Sequence, residues 1–192
     1  MSRINSNYTV LVRRKRQNKT NYKKRLSYLK SGLTRLVVRP TSKNVLLSLV
    51  NYADEGDKVI CSVDVSLLKK IGWKHHGGNF PSAYLLGLMV AKKKTDSVTD
   101  EVIVDFGLCH VAPKSRLFAA VKGAIDGGLN VIVDSESLPS EERIKGSAIE
   151  SYAKTIDKKG YDKQFSKIIK NGTKPEHIVS DFESVKKKIM GA

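Results

Sequence analysis

No aspartate or glutamate occurs before Asp54, so residues 1–53 hold 13 Lys+Arg and no carboxylate. The whole chain of 192 residues has 35 Lys+Arg against 19 Asp+Glu, a formal charge of +16. Beyond residue 53 the 22 remaining basic residues nearly balance all 19 acids. A surface built only for solubility mixes both signs, and a segment at +13 repels itself until something neutralises it. The missing acid therefore points to a polyanionic partner. Cysteine is also scarce: Cys61 and Cys109, both in apolar contexts, exclude a disulfide scaffold and are expected to be buried thiols in a reducing interior. No apolar run approaches the roughly 20 residues of a membrane span, the longest being Tyr84 to Ala91. The polar start, Met1–Asn7, shows no secretory signal. At 40% hydrophobic the chain has the composition of one globular domain with appendages.

Phosphate backbones suit the basic stretch, because each lysine or arginine that meets a phosphate releases a condensed counterion. Membrane binding would need an amphipathic basic helix with Trp, Phe or Leu opposite the charges. Arg13 to Arg25 instead interleaves its cations with Gln17, Asn18, Thr20 and Asn21. Nucleic acid is the better match.

The chain divides into a basic RNA-binding extension (1–32), an α/β core (33–135) and a helical C-terminal region (136–192). In the extension, Leu26 and Leu29 are expected to anchor a short helix. Three strand-like runs follow: Arg35 to Arg39, Asn44 to Val50 and Lys58 to Val63, separated by short polar turns that argue for an antiparallel meander. Period-two alternation puts Arg35, Val37 and Arg39 on one face, with Leu36 and Val38 on the other. The apolar segment Ser82–Lys93 predicts a buried helix, Glu101–Phe106 a fourth strand, and Asn130–Val133 a fifth. Between the last two, Ser115 is expected to cap a helix that Gly127-Gly128 stops. In the last third, Ile144, Ala148, Tyr152 and Ile156 form one helical stripe. Thr173–Glu176 resembles a capping box before a second stripe, Ile178, Phe182, Val185 and Ile189. The predicted class is α/β: a mixed five-stranded sheet in the order β-β-β-α-β-α-β, the ribonuclease-H-like arrangement.

That order raises nuclease activity, but two-metal hydrolysis needs clustered carboxylates. The first strand carries arginines where an acid is required, so Asp105 reads as a salt-bridge or turn residue and Asp64 lacks a partner. His75-His76 and Cys109-His110 lack the spacing of a zinc site, and no metal or other cofactor is expected. Gly123 to Gly128 lacks the Gly-Lys-Ser/Thr ending of a phosphate loop and reads as cap glycines. No Gly-x-Ser-x-Gly element supports a hydrolase. Trp73 reads as packing, and the triplets Lys92–Lys94 and Lys186–Lys188 as solvated helix ends.

The pieces Arg13-Arg-Lys-Arg16, Lys19-Thr-Asn-Tyr22, Leu29-Lys-Ser-Gly32 and Arg35-Leu-Val-Val-Arg39 come first in the chain. Gly78-Asn-Phe-Pro-Ser-Ala-Tyr84, Asp105-Phe-Gly-Leu108 and Lys122-Gly-Ala-Ile-Asp-Gly-Gly-Leu129 follow them. In this order they resemble the archaeal-type large-subunit ribosomal protein number eighteen, whose eukaryotic relative is numbered five. Where that family commonly ends in Pro-His after its Gly-Leu, this chain runs Asn130-Val-Ile-Val133. The resemblance implies a non-enzymatic, cytoplasmic ribosomal component. It also implies partners: 5S rRNA at the central protuberance, 23S rRNA, and neighbouring proteins including the other 5S-binding protein, with no membrane or small-molecule substrate.

The candidate RNA contacts begin with Arg3, Tyr8, Arg13, Arg14, Lys15 and Arg16. They continue through Lys19, Thr20, Tyr22, Lys23, Lys24 and Arg25, which are expected to order along the RNA backbone from a disordered free state. Arg35 and Arg39 would extend that surface onto the sheet. Lys43, Lys74, His76 and Asn79 would form one rim, and Lys114 with Arg116 another. A general RNA-binding protein, a ribonuclease-H-like nuclease and a protein-interaction module using the last helical stripe are the alternatives.

Overall fold

The computed structural model describes residues 9–94 and 98–191. Four strands form one mixed sheet: β1 (Thr34–Pro40), β2 (Val45–Asn51), β3 (Lys58–Val63) and β4 (Val102–Asp105), in the order β3-β2-β1-β4. The first three make the expected antiparallel meander, and β4 runs parallel to β1. Leu36 and Val38 face the core beside their partners Leu49 and Leu47, all fully buried. The opposite face carries Arg35, Val37 and Arg39, as the alternation requires.

The fifth strand is not formed. Residues 130–133 contribute one parallel bridge, Val102 to Val131, and the five-stranded ribonuclease-H-like arrangement reduces to a four-stranded sheet. The reason is local: after Leu129 the Asn130 carbonyl accepts the Val102 N–H and the Ile132 N–H donates back to the Val102 carbonyl, and by residues 135–137 the chain turns into a 3-10 helix.

Nine α-helices are present among the described residues. Two precede the sheet, α1 (Arg13–Arg16) and α2 (Tyr22–Lys30). A short α3 (Val65–Ile71), unforeseen in the sequence, is capped by Asp64 and closed by Gly72 at φ +114°. Helix α4 (Phe80–Lys92) runs through the centre, with every residue from Pro81 to Ala91 buried. It packs against α5 (Arg116–Asp126), against β2 and β3, and against the C-terminal α9 (Ile178–Met190). Between α5 and α9 lie α6 (Glu141–Lys145), α7 (Ser147–Thr155) and α8 (Lys158–Lys170).

Helices α4 and α5 approach until their backbones touch. A Cβ on Gly87 would fall inside contact distance of the Ala120 carbonyl oxygen, and one on Gly123 inside that of Tyr84. Gly123 is thus a packing glycine within the helix. Gly128, at φ +101°, is the capping one, and the backbone N–H of Leu129 returns to the Ala124 carbonyl.

Three local readings need correction. The stripe through Ile144 is broken at Gly146 (φ +86°), so α7 turns Ile149 and Ala153 inward while Ala148 and Tyr152 are exposed. Thr173 makes no capping box; a 3-10 turn at Pro175–His177 leads into α9 instead. Leu26 is exposed, and Arg25, Tyr28 and Leu29 form the inner side of α2. The last stripe, Ile178, Phe182, Val185 and Ile189, is buried in the chain's own core, which removes it as a docking surface. Both cysteines are half-buried and unpaired. No described helix is long and apolar enough to cross a membrane.

Candidate nucleic-acid interface

Four consecutive basic residues in one helical turn spread charge around the whole circumference. Arg13, Arg14, Lys15 and Arg16 of α1 are all exposed, and α1 buries nothing. The chain reverses through Asn18 (φ +50°), a conformation asparagine tolerates. Thr20 then accepts from Arg14 Nε at 2.8 Å. Asn21 caps α2 through its side chain, accepting the Lys24 N–H. Exposed Lys19, Tyr22, Lys23 and Lys24 follow. Arg3 and Tyr8 lie outside the described residues.

Helix α2 sits over the arginine face of β1. Arg25 reaches both carboxylate oxygens of Asp57 at 2.9 Å, and Arg35 Nη2 meets the same carboxylate at 2.7 Å. Burial pushes the Asp57 carboxyl up, but the two guanidiniums outweigh it and hold it below its ordinary range. Arg35 is therefore no open RNA contact: it is 3% exposed and engaged by Asp57. The sheet buries it because α2 covers that face, which a strand pattern alone does not disclose.

Arg39 is spent in part on β4. It donates to the Asp105 carbonyl at 2.7 Å and to its carboxylate at 3.0 Å, while Asp105 also accepts the Gly107 N–H at 2.7 Å. Asp105 thus has the salt-bridge and turn role expected of it. Tyr28, from α2, faces the same pair; desolvation first, then the Asp105 charge, raises its hydroxyl above the usual range despite Arg39. Its phenol therefore stays protonated at neutral pH. Arg14, Lys19, Lys24, Arg25 and Arg39 converge with Tyr28 on a cleft of about 410 Å³, walled on one side by Leu108 and Cys109.

Asp57 is the latch of this arrangement, so Asp57→Asn leaves Arg35 buried without its main counter-charge. The expected cost is about 1–3 kcal/mol, below that of a fully buried pair because Asp57 is partly solvated. Urea denaturation reads the loss, and amide exchange in α2 should rise with it.

A second group of predicted contacts gathers at the β1–β2 turn, some distance along the chain from α2. Gly77 and Gly78 pack against Lys43 and Ser42, where no Cβ fits. This seats exposed His76 beside Lys43, while Asn79 caps α4 by accepting the Ser82 N–H; Lys74 is exposed as well, its carbonyl accepting from Asn171. Arg116 donates to the Gly78 carbonyl at 3.0 Å. Partial desolvation, followed by the charges of Lys167, Arg116 and Lys43, lowers the His76 pKa. Lys114 is exposed at φ +56° and donates its backbone N–H to Ser137. Lys167, on α8, joins this cluster; nothing in residues 158–170 marks it out along the chain, because only tertiary packing brings α8 to His76. Trp73 is buried, as packing requires, 5.1 Å from the His75 ring.

His75 fastens this loop to α9, its Nε2 2.8 Å from the Asp181 carboxylate. Desolvation depresses its pKa more than Asp181 raises it, and the nearby His177 adds to the depression. A histidine depressed in the folded state binds protons more readily when unfolded. Stability is then complete above the ordinary value of about 6.5 and falls as pH drops through it toward the folded value. His76 acts in the same direction. The urea midpoint should decline between about pH 7 and 5.5, and His75→Gln with His76→Gln should flatten that slope while lowering the midpoint at neutral pH.

A family model described as ribosomal large subunit proteins 60S L5, and 50S L18 matches residues 6–103. The match covers just over half of the chain, from the basic extension through β1, β2 and β3 to the middle of β4. With its acid-free helices laid over the sheet, the chain belongs to this family of large-subunit ribosomal proteins: structural, non-enzymatic components of the ribosome that bind rRNA and neighbouring ribosomal proteins.

Proposed function

We propose that the chain binds 5S rRNA and attaches it to the central protuberance, touching 23S rRNA and the other 5S-binding protein from the same body. One observation carries this reading: α1 and α2 expose an acid-free run of cations, while beneath them Asp57 and Asp105 hold Arg25, Arg35 and Arg39. The outward lysines and arginines neutralise phosphates, and the exposed ring of Tyr22 and the half-buried ring of Tyr28 stack on unpaired bases. The turn cluster of Lys43, His76 and Arg116 supplies a second contact region.

Neutralising about 8–10 phosphates makes affinity fall by roughly three to five orders of magnitude between about 50 and 200 mM salt. Filter binding with 5S rRNA and with tRNA as competitor tests both parts. A flat salt response ends the clamping mechanism. Equal competition by tRNA favours the second reading, a general RNA-binding protein.

A further inference from the structure

We propose that the outer edge of β3 is completed by an extended segment of a neighbouring protein, added to the sheet as a further strand. The order β3-β2-β1-β4 leaves β3 at one margin of the sheet. Among the described residues its backbone bonds only to β2. The slip in that ladder between Leu49 and Val50 still leaves five of the six residues paired, so the strand stays extended. Lys58, Val59 and Ser62 are exposed, Val59 by 57%. An open edge is usually blunted by proline or by charges within the strand, and β3 has only Lys58, at its first position. The opposite margin, β4, is partly closed by the Val131 bridge and by Arg39.

Two observations select protein over RNA. A strand edge offers N–H donors and carbonyl acceptors in alternation, which another extended backbone matches and a chain of phosphates, which only accept, does not. Charge works the same way: the first acids of the chain, Asp54 and Glu55, stand exposed in the turn that opens β3, and they repel phosphate. Farther along the strand, the exposed Lys93 acts through its charge on Cys61. An antiparallel segment that is acidic toward its N-terminal end and basic toward its C-terminal end complements both. A second copy of the chain is the poorer occupant. A stable pair buries roughly 1,200 Å² or more, well beyond what six residues edge to edge provide. A segment whose own body is held elsewhere on the ribosome needs no such area, because tethering raises its effective concentration.

The probe is a fluorescein-labelled decapeptide of alternating valine and threonine, begun by two glutamates and ended by two lysines. It is titrated against the full chain by fluorescence polarisation. Methylating one set of its alternate backbone nitrogens should weaken binding by at least about tenfold, and methylating the other set, which faces solvent, by less than about threefold. Exchanging its end charges, or Lys93→Glu in the chain, should weaken it by at least about threefold. Amide hydrogen exchange in residues 58–63 should slow when the peptide binds. The proposal is overturned if the peptide does not bind, if both methylated peptides bind alike, or if decauridylate displaces it. It is also overturned if the chain sediments as a dimer that the peptide dissociates, since a second copy then holds the edge.

Discussion

Removal of residues 1–30 lowers the affinity for 5S rRNA by about a thousandfold or more and leaves the rest of the chain folded. The segment holds 10 of the 35 basic residues and no acid, and on the proposed function it supplies most of the phosphate contacts. Losing them takes a specific complex toward nonspecific binding, a gap of roughly three or more orders of magnitude in nucleic-acid complexes. The fold barely depends on it: neither α1 nor α2 buries a residue. The tie to the body is the Arg25–Asp57 pair and the half-buried sides of Tyr28 and Leu29, and after truncation Asp57 still faces Arg35. Filter binding at about 100 mM salt measures the first effect, with the salt slope falling by about one per contact removed. Thermal melts measure the second. A truncated chain that keeps its affinity would show the body cluster at Lys43, His76 and Arg116 to be the real RNA surface.

Gly123→Ala should cost about 3 kcal/mol or more, although alanine is the better helix former by about 1 kcal/mol. The added methyl meets the backbone of Tyr84, which has no rotamer to change, so α4 and α5 must separate along their whole crossing. For a chain of this length that is a fall of about 6–12 °C in Tm. Gly128→Ala is the control. Its Cβ meets nothing within 4 Å, and only the left-handed backbone at φ +101° resists it, at about 1–2 kcal/mol. If the two variants melt alike, backbone contact is not what the interior glycine provides.

The strongest local patterns were legible. Leu36 and Val38 against Arg35, Val37 and Arg39 were placed on their faces by alternation alone, because a strand has only two faces. Helices α4 and α9 showed in their apolar content because each buries most of a face or more. The fifth strand failed because β-branched residues at 131–133 satisfy a strand pattern, whereas a strand needs continued pairing, and this segment meets β4 only at Val102 before the chain turns into the 3-10 helix at 135–137. Helix α3 escaped notice because seven residues, two of them buried, carry too little periodicity.

The candidate site divides in the same way. That a basic, acid-free segment faces a polyanion follows from counting charges, since a local excess of one sign must be neutralised wherever it lies. Which arginines remain for the partner does not follow. Arg35 and Arg39 read like Arg14 or Arg16 along the chain, yet two aspartates distant in sequence, Asp57 before β3 and Asp105 at the end of β4, occupy them. Charge and periodicity are properties of neighbours in sequence and were determined there. The pairing of cations with acids and the backbone contact at Gly87 and Gly123 each join segments tens of residues apart, and tertiary packing alone decides such meetings.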